Sequence, residues 1–251
     1  MKNEYIVFRR NFYYIFSGAK GEFHLTRIPS NEELFDLSHT LAARLLKSCH
    51  YGYRAIGELK SFIPTLFPTL GDDFEEIAEG VFAAKDAKIS AAVTLSSPMI
   101  IGKGAEIRQG ALLRGSVLIG DKAVIGNSTE VKNSIIFDGA KLPHYNYVGD
   151  SIIGYLAHFG AGAVASNQRL DKRTVTIRSE EESIQTGLKK LGAMIADRAE
   201  IGCHSVLSPG AIVGRGSMIY PLSHVRGCID SGMIFDGRRV RKWEDFSEPT
   251  A

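Results

Sequence analysis

From about Val81 onward, apolar residues return at every sixth position: Ala83, Ile89, Leu95, Ile101, Ile107, Leu113, Ile119, Ile125 and Val131. Four residues after each comes a mostly small one, such as Ala87, Ala105, Ala111 and Ala123. Many repeats place Gly directly after the apolar position, as in Ile101-Gly102, Ile119-Gly120 and Ile125-Gly126. A step of five moves the phase to Ile136, Leu142 and Val148, and another leads to Ile153, Phe159 and Ala165. A polar interruption follows at about 168–194, after which the ladder resumes at Ile195, Ile201, Leu207, Val213, Ile219 and Val225. Chance alternation of buried strands does not hold one period over about twenty-one repeats. The pattern predicts a mainly β protein, a parallel β-helix of about seven three-sided coils. The first residue of each repeat fills the axis, the small residue fits the bend, and each coil buries its apolar faces on the next.

The rest of the chain has a different texture. In residues 1–30, aromatic and β-branched residues (Tyr5, Val7, Phe12, Tyr14, Phe16) predict short strands with a turn at Gly18-Ala19-Lys20-Gly21. Residues 31–76 read as helices. Asn31 is placed to cap the first, Leu34, Leu37, Leu41 and Leu45 form an apolar stripe at helical spacing, and a second helix covers Tyr53–Phe62, ending before Pro64. The expected layout is an α+β lead-in at 1–80, the β-helix at 81–232 with an extruded loop at about 168–194, and a tail at 233–251.

Composition narrows the function. Thirty Lys and Arg against 28 Asp and Glu offer no basic surplus for a nucleic-acid partner. Three widely spaced cysteines without a CxxC fit a reducing compartment better than a disulfide framework or a zinc knuckle. No apolar run is long enough to span a bilayer, and the start lacks the apolar core of a signal peptide. The expectation is a soluble, cytoplasmic protein with no membrane partner.

Candidate chemistry lies in the middle coils. Arg114 and Lys132 are 18 residues apart and therefore stack on one face. Two stacked cations with no acid between them read either as a phosphate site or as solvated surface charge. His144 lies in the irregular run Leu142-Pro143-His144-Tyr145-Asn146-Tyr147, where Asn146 takes a position usually given to a small residue. That His can serve as a general base or as a structural residue, with Glu130 available to orient it. Phe159-Gly160-Ala161-Gly162-Ala163 keeps the repeat but strips its side chains, so its amides are expected to be reachable by a ligand.

The segments Val131-Lys132-Asn133-Ser134, His144-Tyr145-Asn146-Tyr147-Val148-Gly149-Asp150, Ile153-Gly154, Gly160-Ala161-Gly162 and Ser166-Asn167 resemble the acetyltransferase domain of the bifunctional N-acetylglucosamine-1-phosphate uridyltransferases. The resemblance covers roughly residues 83–230 and extends to sugar-nucleotidyltransferase-related proteins with a similar lead-in at Leu34-Phe35-Asp36-Leu37. It implies a left-handed β-helix, a homotrimer with sites between neighbouring helices, and transfer of acetyl from acetyl-CoA to glucosamine 1-phosphate in the UDP-N-acetylglucosamine pathway. By the same resemblance His144 is the base, and Lys132 binds the sugar phosphate with Arg114 beside it. Arg108 resembles the family's arginine motif locally but lies 24 residues from Lys132, on a different face. Tyr147 contacts the sugar phosphate, Asn167 positions the amine or acetyl carbonyl, and Lys172 or Arg173 reaches the phosphate from the loop. Ala161 and Cys203 fall where the family holds acetyl-CoA. His158 stands where the family has an Asn, Gln168 replaces a Tyr, and an insertion at about 174–194 departs from the pattern. Residues 1–80 are too short for the nucleotidyltransferase half.

Two other readings compete. A non-catalytic trimeric module that binds a sugar phosphate or sugar nucleotide would fit the departures at His158 and Gln168. A zinc enzyme on the same solenoid would need three histidines at a shared interface, and His144, His158, His204 and His224 are poorly spaced for that. No metal is expected.

Overall fold

The computed structural model describes residues 27–243. The strands expected within residues 1–30 lie largely outside them. From Val81 the chain winds through three sheets in turn, starting with Val81–Ala84 in sheet 1, Lys88–Ile89 in sheet 2 and Thr94–Ser96 in sheet 3, and returning to sheet 1 at Met99–Ile101. Successive coils pair in parallel, with Ala83 opposite Ile101, Ile89 opposite Ile107 and Leu95 opposite Leu113. The result is a β-solenoid, as the six-residue period predicts. From Ile101 to Val225 every expected axial residue is fully or almost fully buried in one continuous core.

The glycine after the axial residue has a steric cause. The backbone of the next coil crosses close by. A Cβ at Gly120 would lie 2.4 Å from Asp138 N, and one at Gly126 would lie 1.6 Å from Pro143 O. The ladder runs past residue 232: Met233–Phe235 adds a further strand to sheet 2, and Val240–Lys242 folds back on it antiparallel.

Sheet 1 differs from its neighbours because its outward residues are also apolar. Ile100, Leu118, Ile135, Ile152, Met194 and Ile212 alternate with the axial set and are buried under the N-terminal helices. Those helices are α1 (Asn31–Leu34), α2 (Ala43–Ser48) and α3 (Gly52–Phe62). The expected single apolar stripe from Leu34 to Leu45 is broken. A 3-10 turn at Leu37–His39 separates α1 from α2, and Leu41 is 45% exposed. The cap is Ser30, not Asn31: Ser30 and Glu33 form a reciprocal capping box. Asn31 is buried and donates to the carbonyls of Leu46 and Cys49, tying α1 to the end of α2. The interruption between the coils forms a hairpin, Thr176–Arg178 against Ser183–Gln185, and its Val175, Ile177 and Leu191 bury in the same helical layer.

Polar contacts pin this layer to the solenoid. Asp197 accepts from the backbone of Asp36 at 2.6 Å and of Tyr155 at 2.9 Å. His39 lies 3.6 Å from Asp138 and stacks on Tyr155. Burial pushes the Asp138 carboxyl above its usual range, partly offset by the backbone N–H of Asp121. The native chain therefore keeps that proton to higher pH than the unfolded chain, and stability falls as pH rises from the ordinary carboxylate value through the native one. Asp138→Asn removes this loss and keeps an acceptor for Asp121. In urea titrations from roughly pH 3.5 to 7, the variant is expected to gain on the wild type as pH rises; parallel curves would contradict the assignment.

Candidate functional site

The polar residues of the middle coils gather at the two edges of sheet 3. At the edge leading into sheet 1, Arg114 ends the strand Leu112–Arg114 and Lys132 ends Glu130–Lys132. Leu113 pairs with Val131, which stacks the two cations one coil apart. The expectation that no acid separates them is overturned. Arg114 Nη1 lies 2.7 Å from Glu130 Oε1, and Lys132 Nζ lies 3.3 Å from Asp150 Oδ2. Each cation is thus held by a carboxylate, which is how the stack is stable.

Asp150 is the hub of this edge. It is 4% exposed, in a left-handed backbone conformation (φ +51°) that Asp and Asn tolerate better than most residues. Besides Lys132, its oxygens accept from Asn133 Nδ2 at 2.8 Å and from Asn167 Nδ2 at 2.5 Å. Tyr147 lies along the strand toward Gly149, where a Cβ would be 2.7 Å from the phenol oxygen and 2.6 Å from Asn167 Nδ2. Burial, with the nearby charges of Glu130 and Asp150, holds the Tyr147 phenol above its usual range. Arg114, Lys132, Asn133 and Asp150 line a cleft of about 470 Å³, closed on the other side by Ile56, Gly57 and Lys60 of α3 and by Leu188, Lys189 and Lys190.

At the opposite edge, between sheets 2 and 3, the corner residues stack one per coil. Tyr145 N donates to Asn127 O, Gly162 N to His144 O, and His204 N to Ala161 O, at 2.9, 3.0 and 2.9 Å. His144, Ala161 and Cys203 therefore form one column. His144 and Cys203 are exposed. Asn146 is a structural staple: buried, it accepts from His144 N and donates to the carbonyls of Gly160 and Ala163. The amides of Gly160, Gly162 and Ala163 bond to Ile201, His144 and Gly160 carbonyls, so they are not the ligand donors expected from the stripped sequence. The two edges are one three-residue strand apart, ~10 Å at ~3.3 Å per residue.

The other candidates lie apart. Glu130 is engaged by Arg114 rather than by His144. Arg108 pairs with Glu106 at 3.0 Å beside sheet 2. His158 faces outward on sheet 2, 2.8 Å from Glu200 of the next coil. Lys172 and Arg173 are exposed in the insertion, with Lys172 Nζ 3.3 Å from Gln168. Among the described residues no group of three His, Cys, Asp or Glu is disposed to hold a metal ion. Sequence reasoning passed over Asp150, Asn133, Lys60, Lys189 and Lys190. Spacing reveals part of this: Asn133, Asp150 and Asn167 follow one another at 17 residues, one short coil each.

Residues 95–188 match the family described as GMPPB C-terminal domain. A bifunctional sugar-1-phosphate nucleotidylyltransferase/acetyltransferase from Sulfurisphaera tokodaii is 38% identical over 106 residues, covering 42% of this chain and 26% of that protein. The bifunctional protein GlmU of Methanococcus maripaludis is 39% identical over 90 residues, 36% of this chain and 22% of the relative. This stretch of the chain is homologous to GlmU-like bifunctional proteins. An uncharacterized acetyltransferase, YaiX of Escherichia coli, is 33% identical over 103 residues, 41% of this chain and 45% of that one. The matched region spans about a quarter of the length of the first two GlmU-like relatives.

Proposed function

We propose that this chain transfers acetyl from acetyl-CoA to the amine of an amino-sugar phosphate, with glucosamine 1-phosphate as the first acceptor to test. The observation that carries the reading is the placement of a cationic cleft and an exposed histidine column on the two edges of one sheet. Phosphate on the Arg114 and Lys132 side would hold the acceptor, with Tyr147 beside it, while His144, Ala161 and Cys203 would face the thioester. His144 takes a proton from the attacking amine as nitrogen bonds to the acetyl carbon. The carbon–sulfur bond breaks, and coenzyme A leaves as a thiolate that acquires a proton. Asn167, whose amide donates to Asp150, would steady the acceptor or the developing oxyanion. Lys172 or Arg173 would reach the phosphate from the insertion loop, and the same reading carries a homotrimer. Acetyl transfer in two relatives' names, and the sugar-1-phosphate chemistry in one, support it.

The test is thiol release from acetyl-CoA. Release is expected with glucosamine 1-phosphate and not with N-acetylglucosamine 1-phosphate, whose nitrogen is already acylated. Equal release with both would mean thioester hydrolysis and would overturn the proposal. Coenzyme A binding without transfer to any amino sugar would favour the binding-module reading.

A further inference from the structure

We propose that Lys60, Lys189 and Lys190 form the second wall of a phosphate-binding cleft whose first wall is Arg114 and Lys132. This rests on the reading that the Arg114–Lys132 side takes a phosphorylated ligand, and it assigns a role to the helical lead-in and to the insertion.

Charge is the first argument. Arg114 and Lys132 are each paired with a carboxylate, Glu130 and Asp150. Lys60, Lys189 and Lys190 line the same cleft and have no carboxylate partner among the described residues. The cleft therefore carries an excess of three positive charges, and the like charges repel until an anion enters. Phosphoryl groups suit such a site because they offer several strong acceptors and about two negative charges near neutral pH.

Rigidity is the second. These lysines are not on a loose tail. Leu188, half-buried, lies beside Gly57 of α3 and packs against the buried helical layer. On the other side, Leu191 N donates to Asn167 O at 2.9 Å and Gly192 N to Asp150 O at 2.8 Å. Lys189 and Lys190 are thus held between α3 and the Asp150–Asn167 hub. Lys60 is one helical turn from Ile56, whose carbonyl accepts from Asn133 Nδ2 at 3.4 Å. A wall anchored at both ends loses little freedom when the ligand binds.

The shared chemistry is a phosphoryl group, from a sugar 1-phosphate or from a sugar nucleoside diphosphate. Calorimetric titration with glucosamine 1-phosphate and with UDP-glucosamine distinguishes them, and the tighter probe identifies the source. In the triple variant Lys60→Gln, Lys189→Gln, Lys190→Gln, Kd for that probe is expected to rise at least about tenfold and its salt dependence to flatten. The triple variant Lys60→Arg, Lys189→Arg, Lys190→Arg is expected to retain binding, and all three lysines are exposed, so neither variant is expected to lose its fold. Unchanged affinity in the Gln variant, with loss in Lys132→Gln, would overturn the second wall and leave the acetyltransferase reading standing. If the wild type binds neither probe, the phosphate cleft falls together with its second wall, and the acetyltransferase reading is judged by thiol release alone.

Discussion

Replacing His144 with alanine is expected to lower kcat for acetyl transfer by about 10²–10⁴-fold, the usual contribution of a positioned general base. An amino-sugar nitrogen must lose a proton as it attacks, and His144 is the exposed imidazole in the column with Ala161 and Cys203. The expected signature is a fall in kcat with little change in KM for the sugar phosphate, because the Arg114 and Lys132 side lies at the other edge of sheet 3, while Ala161 and Cys203 keep the coenzyme side of the column intact. A folding defect is not expected: the imidazole is exposed, and the backbone bonds to Asn146 and Gly162 do not depend on it. Unchanged kcat in a folded variant would remove His144 from the mechanism.

Asp150→Ala is expected to cost about 3–5 kcal/mol of stability, the range for breaking a buried ion pair by removing one partner. Three donors, from Lys132, Asn133 and Asn167, converge on this carboxylate and lose it together, with only the longer Asn133 bond to the Ile56 carbonyl left to that amide. Alanine also tolerates the left-handed backbone at φ +51° less well than aspartate does. Asp150→Asn separates the effects: it keeps the backbone preference and one acceptor but removes the charge, so a smaller loss is expected. Urea unfolding of both variants checks this. A loss below about 1 kcal/mol in Asp150→Ala would show that the hub is not a stability element.

The solenoid was legible because its repeat is local: each axial residue announces itself six positions on. The five-residue steps, which shorten coils to 17 residues, were equally visible and account for the pairings of Val131 with Val148 and of Val148 with Ala165. The role of the lead-in is not legible in the sequence. Apolar doublets such as Ile100-Ile101, Leu118-Ile119 and Ile135-Ile136 lie under the helices, but the same doublet recurs on sheet 3 at Leu112-Leu113 and at Val206-Leu207, where Val206 is 41% exposed, so the pattern does not mark the covered sheet. The Leu34–Leu45 stripe misled because spacing alone does not show that the chain leaves the helix at Phe35, whose backbone is extended. At the site, spacing found the Arg114–Lys132 stack but not its neutralisation, since Glu130 and Asp150 reach their partners across coil boundaries. Lys60, Lys189 and Lys190 come together only through tertiary packing of the helices and the insertion, which no period encodes.

The most direct test of the central claim is to follow the acetyl group itself. Acetyl-CoA labelled in the acetyl carbon is incubated with glucosamine 1-phosphate and the wild-type chain, and the sugar fraction is analysed. Label bound through nitrogen to the sugar, and absent when His144 is alanine, is the predicted result. Folded protein that binds coenzyme A yet leaves every amino-sugar phosphate and amino-sugar nucleotide unlabelled would contradict it.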